Sequence, residues 1–300
     1  MKSVRVRVPA TSANLGPGFD ALALALALHN EVVLEPADSV TVEIKGEGTD
    51  RLDRGGDNLV VRGARAVYER ARRPFTGLKA SCVNRIPVSR GLGSSAAAWL
   101  SGIMGANALL GEPLDRHALL DLAATREGHP DNVAAALLGG LTVACWNDGS
   151  VVAVSLPVPP EIRWVLLIPE LEGSTAEARA VLPASVPRAD AVFNLQRIGL
   201  FLGGLQARRS DLLAVAMDDR LHQPYRRQLF PWMEEVAAAA RAAGAVGCVL
   251  SGAGPSLLAA APSSAEAVAQ AMERALARAG VRGTARALEV DRAGAVWEGE

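Results

Sequence analysis

The most informative stretch of this chain is Pro87-Val-Ser-Arg-Gly-Leu-Gly-Ser-Ser-Ala-Ala-Ala98, where a loop of glycine and serine runs directly into an apolar helix. Gly91 and Gly93 allow positive φ angles and let a ligand approach the backbone closely. Ser94 and Ser95 supply hydroxyl groups and are candidates for the helix N-cap. Free N–H groups and the positive end of the helix dipole meet at this junction. The stretch therefore predicts a phosphate-binding loop, although an ordinary capped turn has the same local composition.

This loop differs from two common nucleotide-binding motifs. A Walker loop has a lysine after its glycines, whereas Lys2, Lys45 and Lys79 all lie outside the glycine loops. A dinucleotide-binding loop follows a buried parallel strand, which the polar residues of the 81–87 segment do not favour. A nicotinamide dehydrogenase is therefore the least supported class. A phosphate bound here would be held by backbone amides, hydroxyl groups and a metal ion.

Composition excludes several classes of protein. The chain has 300 residues, of which 50% are apolar, so it can bury one large core or two smaller ones. A net charge of −1 and a pI near 6.5 argue against nucleic acid or an anionic membrane as the main partner. The three cysteines are widely spaced, which predicts reduced thiols and a cytoplasmic location. No signal peptide is expected in Met1–Pro9, and Ala21–Leu28 is too short to span a bilayer.

Strand and helix patterns alternate irregularly, which predicts an α+β fold rather than a regular βαβ repeat. Val4–Val8 reads as a strand followed by a loop over Pro9–Asp20, and Glu31–Glu35 and Ser39–Ile44 read as a hairpin-like pair. The proline-rich segment Leu156–Pro160 is the best candidate for a domain boundary. We therefore predict an N-terminal domain over residues 1–157 and a C-terminal domain over residues 158–300.

Two further polar clusters are candidates for a site. In Pro9–Asp20, Asn14 offers an amide and Asp20 a carboxylate that suits an ammonium group, although an ordinary turn would use the same residue types. Glu127, His129, Asp131 and Asn132 lie where two apolar helices meet, so these polar groups must face one another, water or a ligand. A carboxylate facing the phosphate loop would suit Mg²⁺, whereas a single histidine among oxygen donors makes zinc a poor fit.

The polar segments Ser174–Arg179 and Gln223–Pro231 supply Arg179 and Arg226 beside predicted helix starts. Most arginines are solvated surface residues, but two guanidinium groups converging on one carboxylate would bind it bidentately. Ser251-Gly-Ala-Gly-Pro-Ser256 lies between two predicted strands and is either a hairpin turn or a loop that faces a ligand.

Three glycine motifs in this order, Pro9–Asp20, Pro87–Ala98 and Ser251–Ser256, resemble the GHMP small-molecule kinase superfamily. Together with Glu127–Val133, Ser174–Arg179 and Pro224–Arg226, they resemble the homoserine kinase family within it, and the likeness covers nearly the whole chain. The resemblance implies an S5-like N-terminal domain and a ferredoxin-like C-terminal domain. It also implies transfer of the γ-phosphate of ATP to the side-chain hydroxyl of L-homoserine, on the route to threonine.

The resemblance also implies roles for individual residues. ATP would be bound by Asn58 and by the loop residues Pro87, Arg90, Gly91, Leu92, Gly93, Ser94, Ser95 and Ala96, and Mg²⁺ by Ser95 and Glu127. L-Homoserine would be bound by Asn14, Asp20, His129, Asn132, Thr175, Arg179 and Arg226. The residues that would take part in catalysis are Asn14, Asn132, Glu127 and Arg179. Ser251–Ser256 would support the active-site loops.

No strong general base is evident, because the motif regions contain no lysine that could pair with an aspartate. We therefore expect the hydroxyl proton to leave to phosphate or water. Two alternatives stay open: a GHMP kinase for another alcohol, such as mevalonate, shikimate or an isoprenoid precursor, and a catalytically silent ATP-binding regulator. Asp20 disfavours the first, since those alcohols lack an ammonium group. The sequence does not determine the oligomeric state, and a homodimer is kept as a hypothesis.

Overall fold

The computed structural model describes residues 2–299, which form eleven strands in two sheets and ten α-helices. In chain order the strands are β1 (Val4–Ala13), β2 (Leu22–Pro36), β3 (Val40–Gly46), β4 (Leu78–Asn84), β5 (Leu141–Asn147), β6 (Ser150–Leu156), β7 (Arg163–Pro169), β8 (Gly247–Leu250), β9 (Leu257–Ala261), β10 (Gly283–Leu288) and β11 (Val296–Gly299). The helices are α1 (Leu59–Arg70), α2 (Ser94–Leu109), α3 (Arg116–Glu127), α4 (Asp131–Leu138), α5 (Thr175–Ala180), α6 (Arg188–Gln206), α7 (Leu213–Ala216), α8 (Gln223–Arg226), α9 (Met233–Ala242) and α10 (Ala265–Arg278). The predicted α+β class is confirmed.

The first sheet has seven strands and is organised around the long strand β2. The main path runs β11-β1-β2-β4-β3, while β5 pairs with the first residues of β2 and continues the sheet to β6. The predicted hairpin between 31–35 and 39–44 is wrong, because β4 lies between β2 and β3 and pairs with β3 in parallel. Alternate side chains of β4, among them Leu78 and Ala80, are buried, whereas β3 at the edge of the sheet is largely exposed.

Strand β1 is longer than its sequence pattern indicates. It continues through Pro9 to Ala13, and a change of register between Pro9 and Ala10 accommodates the proline within the sheet. The predicted loop over Pro9–Asp20 is therefore wrong in its first half. The loop that joins β1 to β2 begins only at Asn14, which places Asn14 at the end of a buried strand.

The second sheet has four antiparallel strands in the order β10-β7-β9-β8, and α9 and α10 pack against it. Its core includes the buried side chains of Leu167, Val236 and Met272. After β10 the chain returns to the first sheet, where β11 pairs with β1, a strand that the sequence pattern did not reveal. Both chain ends are thereby joined to the same sheet.

The predicted junction of loop and helix is present at α2. Gly91 and Gly93 have φ angles of 70° and 66°, so both take up the left-handed conformation that glycine favours. The prediction that a serine caps the helix is wrong: Gly93 is the N-cap, without a side-chain hydrogen bond, and Ser94 and Ser95 are the first two residues of the helix. Both hydroxyl groups therefore lie in the first turn of α2, beside its free N–H groups.

Candidate active site

A cavity of about 720 Å³ brings the three glycine motifs together. Among the residues that line it are nearly all of those predicted for the site: Asn14, Asp20, Asn58, Pro87, Arg90, Gly91, Leu92, Gly93, Ser94, Ser95, Glu127, His129, Asn132, Thr175, Arg179 and Arg226. Ala96 is fully buried in α2 and does not line the cavity. The roles assigned to these residues in binding remain predictions, but the residues lie around one cavity and can form a single site.

The phosphate loop is held by its two neighbouring glycine motifs. The N–H of Thr11 donates to the carbonyl of Leu92 (3.1 Å), and the hydroxyl of Ser251 donates to the carbonyl of Gly91 (2.7 Å). A Cβ on Gly91 would overlap the Ser251 carbonyl oxygen, so glycine is required there by space as well as by φ. The loop after β8 therefore packs against the phosphate loop and stabilises it.

Ser95 and Glu127 meet at the start of α2. The hydroxyl of Ser95 donates to the carboxylate of Glu127, whose side chain is only 8% exposed. Burial raises the pKa of Glu127, and the hydrogen bond from Ser95 partly opposes this effect. A hydroxyl and a carboxylate beside a helix N-terminus are hard oxygen donors, which fit Mg²⁺. No cluster of three or more His, Cys, Asp or Glu suited to a metal occurs within residues 2–299.

His129, Asp131 and Asn132 form a connected polar group at the start of α4. His129 Nδ1 lies 2.8 Å from Asp131 Oδ1, which also accepts from the N–H of Asn132 (2.7 Å). Burial by itself would lower the pKa of His129, but the hydrogen bond and the charge of Asp131 raise it. The hydroxyl of Thr11 donates to Asn132 Oδ1 (2.6 Å), which fixes the amide next to Gly93.

Asp20 and Arg179 face each other across the cavity and form a bidentate ion pair of 3.0 and 2.8 Å. Asn14 positions this acid: its Oδ1 accepts from the N–H of Asp20 (3.1 Å), and its Nδ2 donates to the carbonyl of Gly252 (3.0 Å). Both Asn14 and Asp20 have positive φ angles, of 72° and 55°. The loop between β1 and β2 is therefore fixed in a tight conformation that presents one carboxylate.

Arg226 is buried beneath this pair, at 2% exposure. Its Nε donates to the carbonyl of Ala178 (3.1 Å), and its Nη1 donates to the carbonyl of Gly252 (2.9 Å). Burial, followed by the nearby charge of Arg179, lowers the pKa of Arg226 to about 10, so it remains cationic at neutral pH. Two guanidinium groups thus converge near one acid.

The remaining predicted residues are also held by the fold. Asn58 caps α1, since its Oδ1 accepts from the N–H of Val60 (2.9 Å), and its Nδ2 donates to the carbonyl of Asp53 (2.6 Å). Arg90 Nε donates to the carbonyl of Pro169 (3.0 Å). Thr175 is the first residue of α5. Asn58 thus shapes the wall of the cavity through the adjoining loop.

Among the residues that line the cavity, sequence reasoning placed Asp131 in a polar cluster but assigned no role to it or to Gly252. Asp131 belongs to the polar segment that includes His129 and Asn132, and its alternation with Glu127 and His129 was the available signal. Gly252 contributes a backbone carbonyl, which no side-chain pattern could have indicated.

The fold and the site define a GHMP kinase. The family model for the GHMP kinases N terminal domain matches residues 58–140, and the GHMP kinases C terminal model matches residues 201–278. Homoserine kinase from Moorella thermoacetica is 49% identical over 85% of this chain and 86% of its own length. The Persephonella marina homoserine kinase is 43% identical over 98% of both chains.

Solved structures agree with this grouping. The crystal structure of homoserine kinase from Cytophaga hutchinsonii has a TM-score of 0.91 at 31% identity, with 99% of this chain and 98% of that chain covered. L. major mevalonate kinase has a TM-score of 0.71 at 17% identity, covering 93% of this chain and 94% of its own, and shares the fold alone. The chain belongs to the homoserine kinase family.

Proposed function

We propose that this chain transfers the γ-phosphoryl group of ATP to the side-chain hydroxyl of L-homoserine, which forms O-phospho-L-homoserine and ADP. The enzyme is a kinase, as are its relatives, and its reaction belongs to threonine biosynthesis. The new bond joins the substrate oxygen to phosphorus, and the bond between phosphorus and the β,γ-bridging oxygen breaks. The hydroxyl proton leaves to phosphate or water.

One observation carries this proposal: Asp20, Arg179 and Arg226 converge beside the phosphate loop in a single cavity. A free amino acid carries an ammonium and a carboxylate on the same carbon, so it needs an acid and one or two guanidinium groups close together. Arg179 and Arg226 lie 5.6 and 5.4 Å from the ring of Phe19, which places the two cations near each other. Neither mevalonate nor shikimate would use Asp20 in this way.

The phosphate loop supplies the second half of the site. Backbone N–H groups at the start of α2 and the helix dipole favour the triphosphate of ATP, with Asn58 lining the cavity beside α1. We assign Ser95 and Glu127 to Mg²⁺, which would offset negative charge on the transferring phosphoryl group. Their oxygen donors and their position at the helix start support this assignment.

This chain's own residues act chiefly by positioning. Asn14 holds Asp20 in place, Thr11 fixes the Asn132 amide next to Gly93, and Asp131 orients His129. Asn132 is a neutral amide and has no proton to exchange at physiological pH, so we propose catalysis without a dedicated base. In phosphoryl transfer, positioning and charge stabilisation account for most of the rate enhancement.

The test is ADP release by the purified chain with Mg·ATP, comparing L-homoserine with L-threonine, L-serine, mevalonate and shikimate. Strong stimulation by L-homoserine alone supports the proposal. Turnover of an alcohol that lacks an ammonium would replace it with a GHMP kinase of another specificity. Tight ATP binding with no turnover on any acceptor would identify a silent regulator.

Two further assignments belong to this proposal. Cys82, Cys145 and Cys248 are all free thiols, which supports a reducing, cytoplasmic setting. Among residues 2–299, no helix combines the length and the apolar composition of a membrane span. A homodimer is supported by the exposed apolar side chains of Val152 and Val154, which lie on the same face of β6. Light scattering over a range of protein concentrations tests the homodimer directly, since a constant monomer mass would exclude it.

A further inference from the structure

His222 is a buried histidine that none of the assigned roles uses. It immediately precedes α8 and is fully buried, with 0% exposure. Its Nε2 lies 2.8 Å from the carbonyl oxygen of Gly16, and its Nδ1 lies 3.2 Å from Arg226 Nη1. The ring therefore connects the loop between β1 and β2 to a predicted substrate-binding arginine more than 200 residues further along the chain.

These two contacts fix the protonation state of the ring. A carbonyl oxygen only accepts and a guanidinium nitrogen only donates, so Nε2 must carry the proton and Nδ1 must carry the lone pair. Burial lowers the pKa of His222, partly opposed by Asp219 and reinforced by the cation of Arg226. The neutral ring is thus the form that the hydrogen-bond geometry and the burial both favour.

The face of the imidazole ring makes a third contact. It stacks on Phe19, with ring centroids 5.3 Å apart and an angle of 25° between the rings. The guanidinium groups of Arg179 and Arg226 both lie within 6 Å of the same phenyl ring. Phe19 directly precedes Asp20, so this stack joins the acid and both arginines into one unit.

His222 also completes the hydrogen bonding of Arg226. One Nη1 proton goes to the Gly252 carbonyl and the other to His222 Nδ1, while Nε donates to Ala178. Arg226 also lines the cavity, so we infer that Nη2 is the atom that meets a ligand there. Without the acceptor on His222, only the bonds to Gly252 and Ala178 would orient the guanidinium group, and Nη2 would be held less firmly.

A second pair of residues, Asn194 and Asp219, also holds the loop between β1 and β2. Asn194 Nδ2 donates to the carbonyl of Pro17 (3.0 Å) and to Asp219 Oδ1 (2.8 Å). Asp219 Oδ2 in turn accepts from the N–H groups of His222 and Gln223. Asp219 Oδ2 also lies 3.4 Å from His222 Nε2, but the contact of Asn194 with Pro17 does not involve the imidazole ring. Loss of the ring should therefore loosen Arg226 while Asn194 still holds the loop.

We propose that neutral His222 is a positioning residue for the acceptor amino acid, which fixes Arg226 relative to Asp20. It would set the distance between the group that binds the carboxylate and the group that binds the ammonium. The inference rests on the proposed function and names a residue that determines specificity for an α-amino acid.

His222→Gln and His222→Asn separate the two ring contacts. Glutamine places its amide near the Nε2 position and keeps a donor for Gly16, whereas asparagine places its oxygen near the Nδ1 position and keeps an acceptor for Arg226. We expect His222→Gln to raise the KM for L-homoserine about tenfold, because it removes a hydrogen bond to a charged group. His222→Asn should raise it less, and neither should change the KM for ATP.

A substrate without the carboxylate distinguishes positioning from general damage. 3-Amino-1-propanol keeps the hydroxyl and the ammonium of L-homoserine, so its kcat/KM should be nearly unaffected by either substitution. His117→Gln, on an exposed histidine of α3, is the matched control and should match the wild type. If the imidazole variants do not fold, Phe19→Leu provides a second test. This substitution removes the stack on the imidazole ring but keeps both hydrogen bonds of His222, and it should raise the KM for L-homoserine.

The outcomes separate the two proposals. Wild-type protein with no ADP release on L-homoserine would reject the proposed function. An active wild type together with folded His222 variants whose KM for L-homoserine is unchanged would overturn the positioning role alone. Equal increases in the KM for L-homoserine and for ATP would also overturn it, since they indicate loss of the whole cavity.

Discussion

Arg179 donates from both of its Nη atoms to the two carboxylate oxygens of Asp20, across 159 residues of sequence. The pair lies in the cavity and is about 40% exposed. A carboxylate and a guanidinium group are complementary to the ammonium and the carboxylate of the proposed acceptor, so the pair supports the proposed binding of a zwitterion.

Asp20→Asn should weaken the acceptor site while leaving the fold intact. Exposed ion pairs contribute only about 0–1 kcal/mol to stability, so the unfolding temperature should hardly change. The KM for L-homoserine should rise about 100-fold or more, because one charge of the zwitterion loses its partner and Arg179 is left unpaired. Arg208→Ala, which removes the surface pair with Glu161, should leave both quantities unchanged. Equal KM values in Asp20→Asn and wild type would contradict the assignment.

Gly91→Ala should disable the phosphate loop. The added Cβ would overlap the Ser251 carbonyl oxygen, and the φ of 70° is strained for alanine. We expect the Kd for ATP to rise about tenfold or more, since the loop must shift away from its ligand position. Gly199→Ala in α6 is the control, because a Cβ there meets nothing within 4 Å and should stabilise the helix by about 0.5–1 kcal/mol. Calorimetric titration with ATP measures the difference, and unchanged ATP affinity in Gly91→Ala would reject the loop assignment.

The Mg²⁺ requirement should identify the serine that binds the cation. Ser95 contacts Glu127, so Ser95→Ala and Glu127→Gln should both raise the Mg²⁺ concentration for half-maximal activity, by about tenfold. Ser94→Ala should leave it unchanged. The measurement is a Mg²⁺ titration at fixed ATP. If the shift appears in Ser94→Ala instead, the metal assignment passes to the other hydroxyl.

Asp291 should stabilise the return of the chain to the first sheet in a pH-dependent way. Burial opposes ionisation, but His29 and the N–H groups of Gly294 and Ala293 outweigh it and lower the pKa of Asp291. An acid whose pKa is lower in the folded state adds stability above its unfolded pKa, and this stability is lost as the pH falls through the folded pKa. Asp291→Asn should therefore cost about 1–3 kcal/mol near pH 7, and the difference from wild type should begin to shrink only below about pH 4 and vanish below the folded pKa of Asp291.

Thermal unfolding of both proteins across that pH range measures the effect. Asp211→Asn is the matched control, because Asp211 pairs with Arg209 on the surface. Its unfolding temperature should match the wild type at every pH. A constant difference between Asp291→Asn and wild type at all pH values would show that packing, and not the charge, is responsible.

The three thiols should react in two classes. Cys145 is exposed, whereas burial raises the pKa of Cys82 to about 11 and of Cys248 to about 12. Thiolates are the reactive form, so the native protein should release one equivalent of dye quickly with a disulfide reagent, and all three after unfolding. Cys145→Ser should abolish the fast phase. A fast phase that persists in Cys145→Ser would show that one of the buried thiols is accessible.

The chain's local chemistry determined much of this protein. Positive φ angles at Gly91 and Gly93, the cap of α1 by Asn58, and the strand pair β5 and β6 follow from preferences of a few neighbouring residues. The polar residues that now line one cavity were recognisable because carboxylates, amides and arginines stood out among apolar segments.

Tertiary structure alone decided which of these segments meet. The parallel pairing of β3 with β4, the continuation of β1 through Pro9 and the return of β11 all depend on which apolar faces bury one another, and the residues concerned are distant in sequence. The Asp20–Arg179 pair and the contacts of His222 with Gly16 and Arg226 have the same origin. Local preference acts over a few residues, whereas burial and charge pairing act across space, so only the folded chain could bring these groups together.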